Sequence, residues 1–334
     1  MSENLVQIKN LKTYFYTGDG IVKAVDDVTF NIRKGEILGV VGESGCGKSV
    51  TAMSIMRLIP SPPGKIVGGE IIFEGENILN IKEDNMRKIR GNDIAVIFQE
   101  PMTSLNPIFT IGYQIEEVIL LHQKTSKIEA KKKAVEMLKL VGVPRADEIV
   151  ACYPHELSGG MRQRAMIAMA VSCNPKLLIA DEPTTALDVT IQAQILDIMR
   201  DLKKKTSTSI MLITHDLGVI AEMAEYVVVM YAGNIIEEAP VMELFKNPMH
   251  PYTDGLMKSK PSLDKEVDRL YSIPGQVPNP IDMPEECHFC TRCPKVMDIC
   301  RKQQPPTREI TPGHKVACFL YEGQGGDVSA RSNS

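Results

Sequence analysis

The sequence predicts an α/β fold followed by a small C-terminal segment rich in proline and cysteine. Short apolar runs, such as Ile37–Val41 and Tyr226–Ala232, have the length and composition of buried strands. Apolar residues recur at helical spacing in KIEAKKKAVEMLKLVG, and its lysines are expected on a solvated face. After His250 the chain is proline-rich and has no long periodic segment. We therefore expect a large α/β domain at residues 4–255 and a distinct extension at residues 256–322.

Composition and charge argue against several classes of protein. The chain has 334 residues, enough for two domains, and its net charge of −4 does not suit a basic nucleic-acid surface. The stretch MSENLVQIKN lacks the basic and apolar regions of a secretion signal. No apolar run approaches the roughly 18 residues that a spanning helix needs. We expect a cytosolic chain with a disordered tail at residues 323–334.

The stretch GEILGVVGESGCGKSV predicts a phosphate-binding loop. A buried strand, Ile37–Val41, precedes Gly42-x4-Gly47-Lys48-Ser49, and an apolar-periodic helix follows. Glycines let backbone N–H groups turn toward phosphate oxygens, and the helix N-terminus favours anions. Lys48 is expected to reach the β- and γ-phosphates, and Ser49 to bind Mg²⁺. The expected ATP-contacting residues are Gly42, Ser44, Gly45, Cys46, Gly47, Lys48, Ser49 and Val50.

Two acidic residues follow a second buried strand in KLLIADEP. The apolar run Leu177–Ala180 ends at Asp181 and Glu182. Asp181 is expected to hold Mg²⁺ through water, while Glu182 is placed to accept a proton from the attacking water. A solvated strand end is the alternative interpretation of these acids.

The order of further motifs resembles the ATP-binding subunits of ABC transporters. LSGGMRQR at Leu157–Arg164 precedes LLIADEPTTALD, and LITHD at Leu212–Asp216 follows, as signature, Walker B, D-loop and His switch do in that family. Gln99 in AVIFQEP is similar to the family's Q-loop glutamine. The resemblance covers residues 4–255. It implies a RecA-like core, an antiparallel β subdomain and a helical signature subdomain at about 100–160.

The family resemblance also implies roles for individual residues. The signature faces the ATP of a second subunit, and Met161 replaces the usual glutamine, so phosphate contact is assigned to Ser158, Gly159 and Gly160. His215 would contact the γ-phosphate, and Gln99 would join Ser49 and Asp181 around Mg²⁺. Asp188 would be the D-loop acid that links the two ATP sites. Phe15 would stack on adenine, although Tyr14 and Tyr16 flank it and strand packing is an alternative.

A narrower resemblance concerns the dipeptide/oligopeptide permease ATP-binding subunits. Several short motifs are similar to those of that subfamily: QEPMTSLNP, NPMHPYT, IPGQVP and the terminal cysteines. This resemblance extends to about residue 322. The resemblance implies ATP-driven peptide import with two membrane-spanning permease subunits and an extracellular peptide-binding protein. A second ATP-binding subunit, a paralogue or an identical chain, would complete the assembly at the cytoplasmic face of the membrane. The ATP-binding subunits of related nickel importers share several of these motifs, so nickel is the alternative solute.

Two further classes of protein are alternatives to a transporter subunit. A soluble ABC-type ATPase acting on nucleic acid or ribosomes commonly has two fused cassettes or a coiled-coil insertion, and this chain has one cassette and no heptad run. A P-loop kinase has no use for the signature or the His switch. The sequence therefore favours the transporter subunit.

Five of the eight cysteines lie between Cys287 and Cys318. Reducing conditions in the cytosol disfavour disulfides. Zinc sites usually have paired C-x2-C ligands at two places, and only one such run is present. The closely spaced cysteines followed by Pro294 are similar to the cysteine runs that bind iron–sulfur clusters in ferredoxins. Spacing alone nominates Cys287, Cys290 and Cys293 with one more cysteine.

The subfamily resemblance implies a different set of cluster ligands. Its pattern, Cys-x5-Cys-x6-Cys and a distant Cys after PGH, corresponds to Cys287, Cys293, Cys300 and Cys318. On this basis the expected group is a [4Fe–4S] cluster that staples the C-terminal segment, with Cys290 outside the ligand set. Zinc remains the alternative.

Overall fold

The computed structural model describes residues 3–99, 104–185, 188–259, 271–324 and 326–327. The chain forms two compact units, each built from separate stretches of sequence. Unit 1 comprises Met1–Val6, Ile32–Ile37 and Phe73–Ile213. Unit 2 comprises Gln7–Asn31, Leu38–Ile72 and Thr214–Ser334.

Strands and helices alternate through most of the described chain, as the sequence predicts. The strands are β1 Asn4–Thr17, β2 Gly20–Arg33, β3 Ile37–Val41, β4 Gly64–Phe73, β5 Glu76–Asn77, β6 Ile94–Ile97, β7 Leu177–Asp181, β8 Ser209–Ile213, β9 Tyr226–Tyr231, β10 Asn234–Pro240, β11 Thr307–Thr311, β12 His314–Ala317 and β13 Gly326–Asp327. The α-helices are α1 Lys48–Ile55, α2 Glu83–Ile89, α3 Ile111–His122, α4 Lys127–Leu140, α5 Ala146–Ile149, α6 Gly159–Val171, α7 Val189–Thr206, α8 Leu217–Met223, α9 Val241–Lys246 and α10 Pro251–Lys258. Short 3₁₀ turns lie at Pro154–Glu156, Asp298–Arg301 and Phe319–Tyr321.

Unit 1 contains a parallel sheet in which β7 lies between β6 and β8. Leu177 is paired with Ile94 of β6 and with Ser209 of β8. Every residue of β7 is buried. Such a continuous apolar run is expected for a strand covered on both faces. The carboxyl edge of a parallel sheet is the usual place for ligands, and the acidic pair lies there.

Helix α4 shows why the lysine-rich stretch of unit 1 folds as predicted. Ser126 caps its N-terminus, and the Glu129 side chain returns to the Ser126 backbone N–H at 3.0 Å. This capping box satisfies two backbone donors that a helix start leaves without partners. Ala130, Ala134 and Leu138 recur every four residues on the buried face. The lysine-rich stretch therefore forms an amphipathic helix.

Unit 2 is built around β3, which runs parallel to β9, and β9 pairs antiparallel with β10. The C-terminal segment continues this sheet, because β12 pairs antiparallel with β10 and β11 pairs with β12. Glu237 is opposite Val316 in that pairing. The segment after His250 thus gains order from backbone pairing with β10. Sequence periodicity did not show these two short strands.

The N-terminal part of unit 2 forms a second sheet with the order β2, β1, β4. Only Gly18 and Asp19 separate β1 from β2. A two-residue connection joins antiparallel strands, as the predicted antiparallel subdomain requires. This sheet carries Phe15.

Two further observations concern the predicted tail and the membrane. Gly326–Asp327, inside the predicted disordered tail at residues 323–334, pair with β11, and residues 325 and 328–334 lie outside the described residues. None of the helices in the described part of the chain combines the length and apolar composition that crossing a bilayer requires.

Candidate active site

The phosphate-binding loop lies in unit 2 between β3 and α1. Gly42 and Gly47 have φ values of 154° and 101°, in a region that side chains rarely allow. A Cβ at either position would lie 2.2 Å from a backbone oxygen, of Met230 or Ala24 respectively. At Gly45 an added Cβ would meet nothing within 4 Å. The loop is therefore closed on its protein side and open at Gly45 and the exposed Ser44.

Lys48 is the first residue of α1, and Gly47 is its N-cap. Its ammonium donates to the carbonyl oxygens of Gly42 at 2.8 Å and of Glu43 at 3.0 Å. The side chain is therefore held within the loop, where helix N–H groups and the ammonium present positive charge together. Ser49 follows in the first turn and is half-buried. This arrangement fits an anionic phosphate chain with a Mg²⁺ ion.

Cys46 belongs to the predicted ATP-contacting set, but its side chain is buried beneath the loop. Burial raises the pKa of this thiol above its usual range. The Cys46 backbone oxygen accepts from Gly233 N at 3.1 Å. The Cys46 N–H donates to Glu43 O at 3.3 Å, so in this structure Cys46 closes the turn of the loop.

Glu182 and Gln99 lie together in unit 1. Gln99 Nε2 donates to Glu182 Oε2 at 3.3 Å, and Thr185 Oγ1 donates to the same oxygen at 2.8 Å. Glu182 has a φ of 48°, unusual for a residue with a side chain. Its N–H donates to Ile213 O at 2.9 Å, which holds this conformation. Strained backbone of this kind is concentrated at functional sites.

The predicted signature residues and the predicted D-loop acid line one surface cavity of unit 1, of about 590 Å³. Ser158, Gly159, Gly160 and Asp188 line it. The side chains of Ser158 and Asp188 accept from backbone N–H groups and cap α6 and α7 respectively. Gln163, which the sequence analysis did not single out, is buried and donates to Pro183 O at 2.6 Å. This hydrogen bond connects α6 to the segment that follows Glu182. The position of Gln163, two residues after Met161 in the LSGGMRQR motif, was the only sequence feature that could have pointed to it.

His215 lies in unit 2, near the end of β3. The N–H of Thr214 donates to Val40 O at 3.2 Å, which places the next residue beyond the strand that leads into the phosphate loop. The His215 side chain is exposed, and Asp216 caps α8 by accepting from Gly218 N at 2.7 Å. An exposed imidazole on an ordered turn can reach a ligand.

The three adjacent aromatic residues of β1 have different environments. The Tyr14 hydroxyl donates to Asp26 at 2.6 Å, and burial together with this bond raises the Tyr14 pKa. Tyr16 is 50% exposed. Phe15 is half-buried and packs close to Gly64, where an added Cβ would lie 2.8 Å from a Phe15 ring carbon. Phe15 therefore faces away from the Tyr14–Asp26 contact.

The C-terminal cysteines lie in one region of unit 2. Cys287 N donates to Cys300 O at 2.9 Å, and Cys287 packs against a small core of Cys290, Cys300 and Phe319. Burial raises the pKa of Cys287 to about 12 and that of Cys318 to about 11. Among the described residues, no group of three or more potential ligand side chains is arranged to hold a metal ion.

The fold and these motifs define an ABC-type ATPase. The phosphate loop follows β3, Asp181 is the last residue of β7 with Glu182 directly after it, and the predicted signature residues begin α6. A model of the ABC transporter family matches residues 25–185. A model of the oligopeptide/dipeptide transporter C-terminal region matches residues 236–300.

Curated relatives extend this match along the chain. An oligopeptide transport ATP-binding protein of Bacillus subtilis, AppD, is 55% identical over 97% of this chain and 99% of its own length. The oligopeptide transport protein OppD of Escherichia coli is 49% identical over 95% of this chain and 94% of its own. The chain belongs to the ATP-binding proteins of the oligopeptide/dipeptide ABC transporter family, as the sequence motifs predicted.

A solved structure supports the fold independently. The ATP-binding cassette MJ0796, in a dimeric post-hydrolysis state bound to ADP and Pi, has a TM-score of 0.64 and 28% identity, covering 71% of this chain and 98% of that one. The predicted ABC-type fold is confirmed.

Proposed function

We propose that this chain hydrolyses ATP to power the import of dipeptides or oligopeptides through separate membrane-spanning subunits. The assignment of peptides as the solute rests on the match of residues 236–300 to the oligopeptide/dipeptide transporter C-terminal region. The curated relatives are named for oligopeptide transport, which favours peptide over nickel. We place the chain at the cytoplasmic face of the membrane, where it would bind two permease subunits. An extracellular peptide-binding protein would belong to the same transporter.

We assign the following roles in hydrolysis to the predicted site residues. Lys48 and the loop N–H groups bind phosphate oxygens, and His215 contacts the γ-phosphate. Glu182 accepts the proton of the attacking water, with Thr185 and Gln99 orienting its carboxylate. Ser49, Asp181 and Gln99 would hold Mg²⁺, whose charge offsets that of the phosphates. The ADP and phosphate formed are then released.

A second ATP-binding subunit completes each site in this proposal. Ser158, Gly159 and Gly160 line a surface cavity with Asp188, and backbone N–H groups at a helix start suit the phosphates of a nucleotide held by another chain. The dimeric cassette MJ0796 is a precedent among similar structures. We assign the second subunit to a paralogue, with an identical chain as the alternative. Phe15 is the proposed adenine platform.

Reconstitution tests the proposed function directly. The chain, with candidate permease and ATPase partners, is placed in proteoliposomes, and uptake of labelled peptides is measured with and without ATP. ATP-dependent accumulation of peptide supports the proposal. A complex that accumulates nickel and no peptide would contradict the solute assignment.

The loop before α3 is proposed to transmit force to a permease subunit. Residues 100–103 of QEPMTSLNP lie outside the described residues, and Asn106 and Pro107 beyond them are exposed. The buried Gln114 side chain accepts from Asn106 N at 2.8 Å, which fixes the loop backbone. Ile108 beside it is 71% exposed. An exposed apolar side chain on a braced loop suits a docking partner.

Substituting Asn106 by alanine should uncouple transport from hydrolysis. Because Asn106 faces solvent, basal ATPase activity should stay within about twofold, whereas peptide uptake in proteoliposomes should fall roughly fivefold or more. Asn85→Ala, at an exposed position of α2, is the matched control and should change neither rate. A parallel loss of ATPase and uptake would show that the segment is only structural.

A [4Fe–4S] cluster on Cys287, Cys293, Cys300 and Cys318 is the proposed group in the C-terminal segment. These four thiols lie close enough for ionisation of one to raise the pKa of another, as Cys318 is influenced by Cys293 and Cys300. Cys290 lies in the same group of thiols, and the subfamily pattern, in which it has no counterpart, leaves it outside the proposed ligand set. A four-iron cluster is wider than a single ion, so its ligands need not meet at one point. Thiols with raised pKa values would release protons on binding it.

Serine at any of the four proposed ligands should bleach the protein. Anaerobically purified chain is expected to be brown, to absorb near ~400 nm and to contain about four irons. Cys290→Ser should keep the colour and the iron, since the subfamily pattern of cluster ligands does not include this position. Colourless protein with one zinc per chain would overturn the cluster, and bleaching by Cys290→Ser would overturn the ligand set.

A further inference from the structure

Arg292 is a buried arginine inside the cysteine-rich segment, between Cys290 and Cys293. Its side chain is 4% exposed. A guanidinium has five N–H donors, and all five have acceptors here. The acceptors are two carbonyl oxygens, one hydroxyl and one carboxylate: Pro274 O at 3.0 Å, Ile273 O at 3.5 Å, Tyr231 Oη at 3.3 Å, and both oxygens of Glu43 at 2.6 and 3.1 Å. Arg292 is therefore fixed in one orientation.

The carboxylate that Arg292 grips belongs to the phosphate loop. Glu43 is the residue after Gly42, and its backbone oxygen accepts from Lys48 Nζ at 3.0 Å. The Glu43 N–H donates to the Tyr252 hydroxyl at 2.8 Å. Backbone and side chain of this one residue are thus held from several directions. The Glu43 side chain is 27% exposed, so its charge is only partly screened by water.

An acidic side chain in this position opposes the function of the loop. The Glu43 backbone oxygen contacts the ammonium of Lys48, which is expected to receive phosphate, and a carboxylate on the same loop repels a phosphate chain. A bidentate guanidinium cancels this charge and holds both carboxylate oxygens. Aromatic rings complete the support, since the Arg292 guanidinium carbon lies 5.9 Å from the Tyr231 ring centre and 6.0 Å from that of Phe289.

We propose that Arg292 is a positioning residue of the nucleotide site, which neutralises Glu43 and fixes the start of the phosphate loop. The cysteine-rich segment thereby contributes to ATP affinity without touching ATP. This role rests on the ATP site of the chain and is independent of whether the cysteines hold a cluster.

If Arg292 neutralises the charge of Glu43, substitutions of the two residues should have different effects on ATP binding. If Arg292 only holds the loop in place, their effects should be similar. In full-length chain, Arg292→Met leaves an unmasked carboxylate and should weaken ATP binding, measured by titration calorimetry, about tenfold. Glu43→Gln removes the carboxylate charge and keeps an acceptor for Arg292, so affinity should stay within about threefold of wild type. The double variant should recover to within about threefold, because the repelling charge is gone. Equal losses in both single variants, without recovery in the double variant, would overturn the proposal.

Further variants guard against a folding defect. Arg292→Lys keeps the charge and should bind ATP within about threefold of wild type, although it loses the two-pronged contact. Arg301→Met removes an exposed arginine from the same segment and should leave affinity unchanged. The loss in Arg292→Met should shrink as salt rises from about 50 to about 500 mM, because ions screen the partly exposed carboxylate. Should Arg292→Met not fold, a tenfold loss in Arg292→Lys or in the double variant would still overturn the proposal, and retained affinity in both would support it.

Discussion

Replacing Glu182 by glutamine is expected to lower ATP hydrolysis by roughly 10²- to 10⁴-fold while ATP binding persists. The amide has nearly the shape of the carboxylate and can still accept from Thr185 and Gln99, but it cannot take the proton of the attacking water. Phosphate release from the assembled complex and equilibrium ATP binding are the two measurements. Trapped ATP should also stabilise association with the second ATP-binding subunit, which sedimentation would detect.

Glu117→Gln provides the matched control for that experiment. Glu117 is an exposed residue of α3 in the same unit, and the same chemical change there should leave hydrolysis within about twofold, as is usual for surface positions. Near-normal hydrolysis by Glu182→Gln would show that another group takes the proton. Thr185→Val is a further check on orientation, since it removes the 2.8 Å donor to Glu182 and should lower the rate without changing ATP affinity.

Replacing Lys48 by alanine should weaken ATP binding itself, with an affinity loss of about 10- to 100-fold. The ammonium is the charged donor at the start of α1, and its loss leaves only backbone N–H groups to hold the phosphates. Titration calorimetry with ATP and with ADP measures the effect. The loss should be larger for ATP, because Lys48 is expected to reach the γ-phosphate.

The control for Lys48→Ala is Lys65→Ala, which removes an exposed lysine from β4 of the same unit. Affinity should not change in this variant. Unchanged affinity in Lys48→Ala would contradict the assignment of the phosphate loop. The contrast with Glu182→Gln separates binding from chemistry, because Lys48→Ala should bind ATP more weakly, whereas Glu182→Gln should bind it and hydrolyse it slowly.

The sequence predicted the nucleotide motifs because their chemistry depends on neighbouring residues. Ile37–Val41 is a strand with the predicted limits, and the apolar run Leu177–Ala180 is contained in β7. A strand buried on both faces must be apolar at every position, so it is visible as an uninterrupted run. The glycines of the phosphate loop are likewise dictated locally, since a Cβ at Gly42 or Gly47 would collide with backbone.

The C-terminal segment shows the limit of that local information. Its proline-rich composition suggested a stretch that needs a staple, whereas the structure pairs β12 with β10. The pairing joins Glu237 to Val316 across the sequence, and strands of four or five residues leave little periodic signal. His314 makes the point again, because its ring lies 2.8 Å from the buried Glu237 carboxylate, a structural contact that no spacing rule reveals.

By itself the sequence determined the class of protein and the family, and it predicted the ATP-contacting motifs, since all of these depend on short contiguous patterns. Only the tertiary structure decided which distant residues support them. Thr185 and Gln99 meet on Glu182, and Arg292 reaches Glu43 across 249 positions of the chain. A single arginine between two cysteines forms no recognisable sequence motif. Its role depends on the partner that folding brings next to it. Charge pairing over such separation is set by packing, and packing is a property of the folded chain.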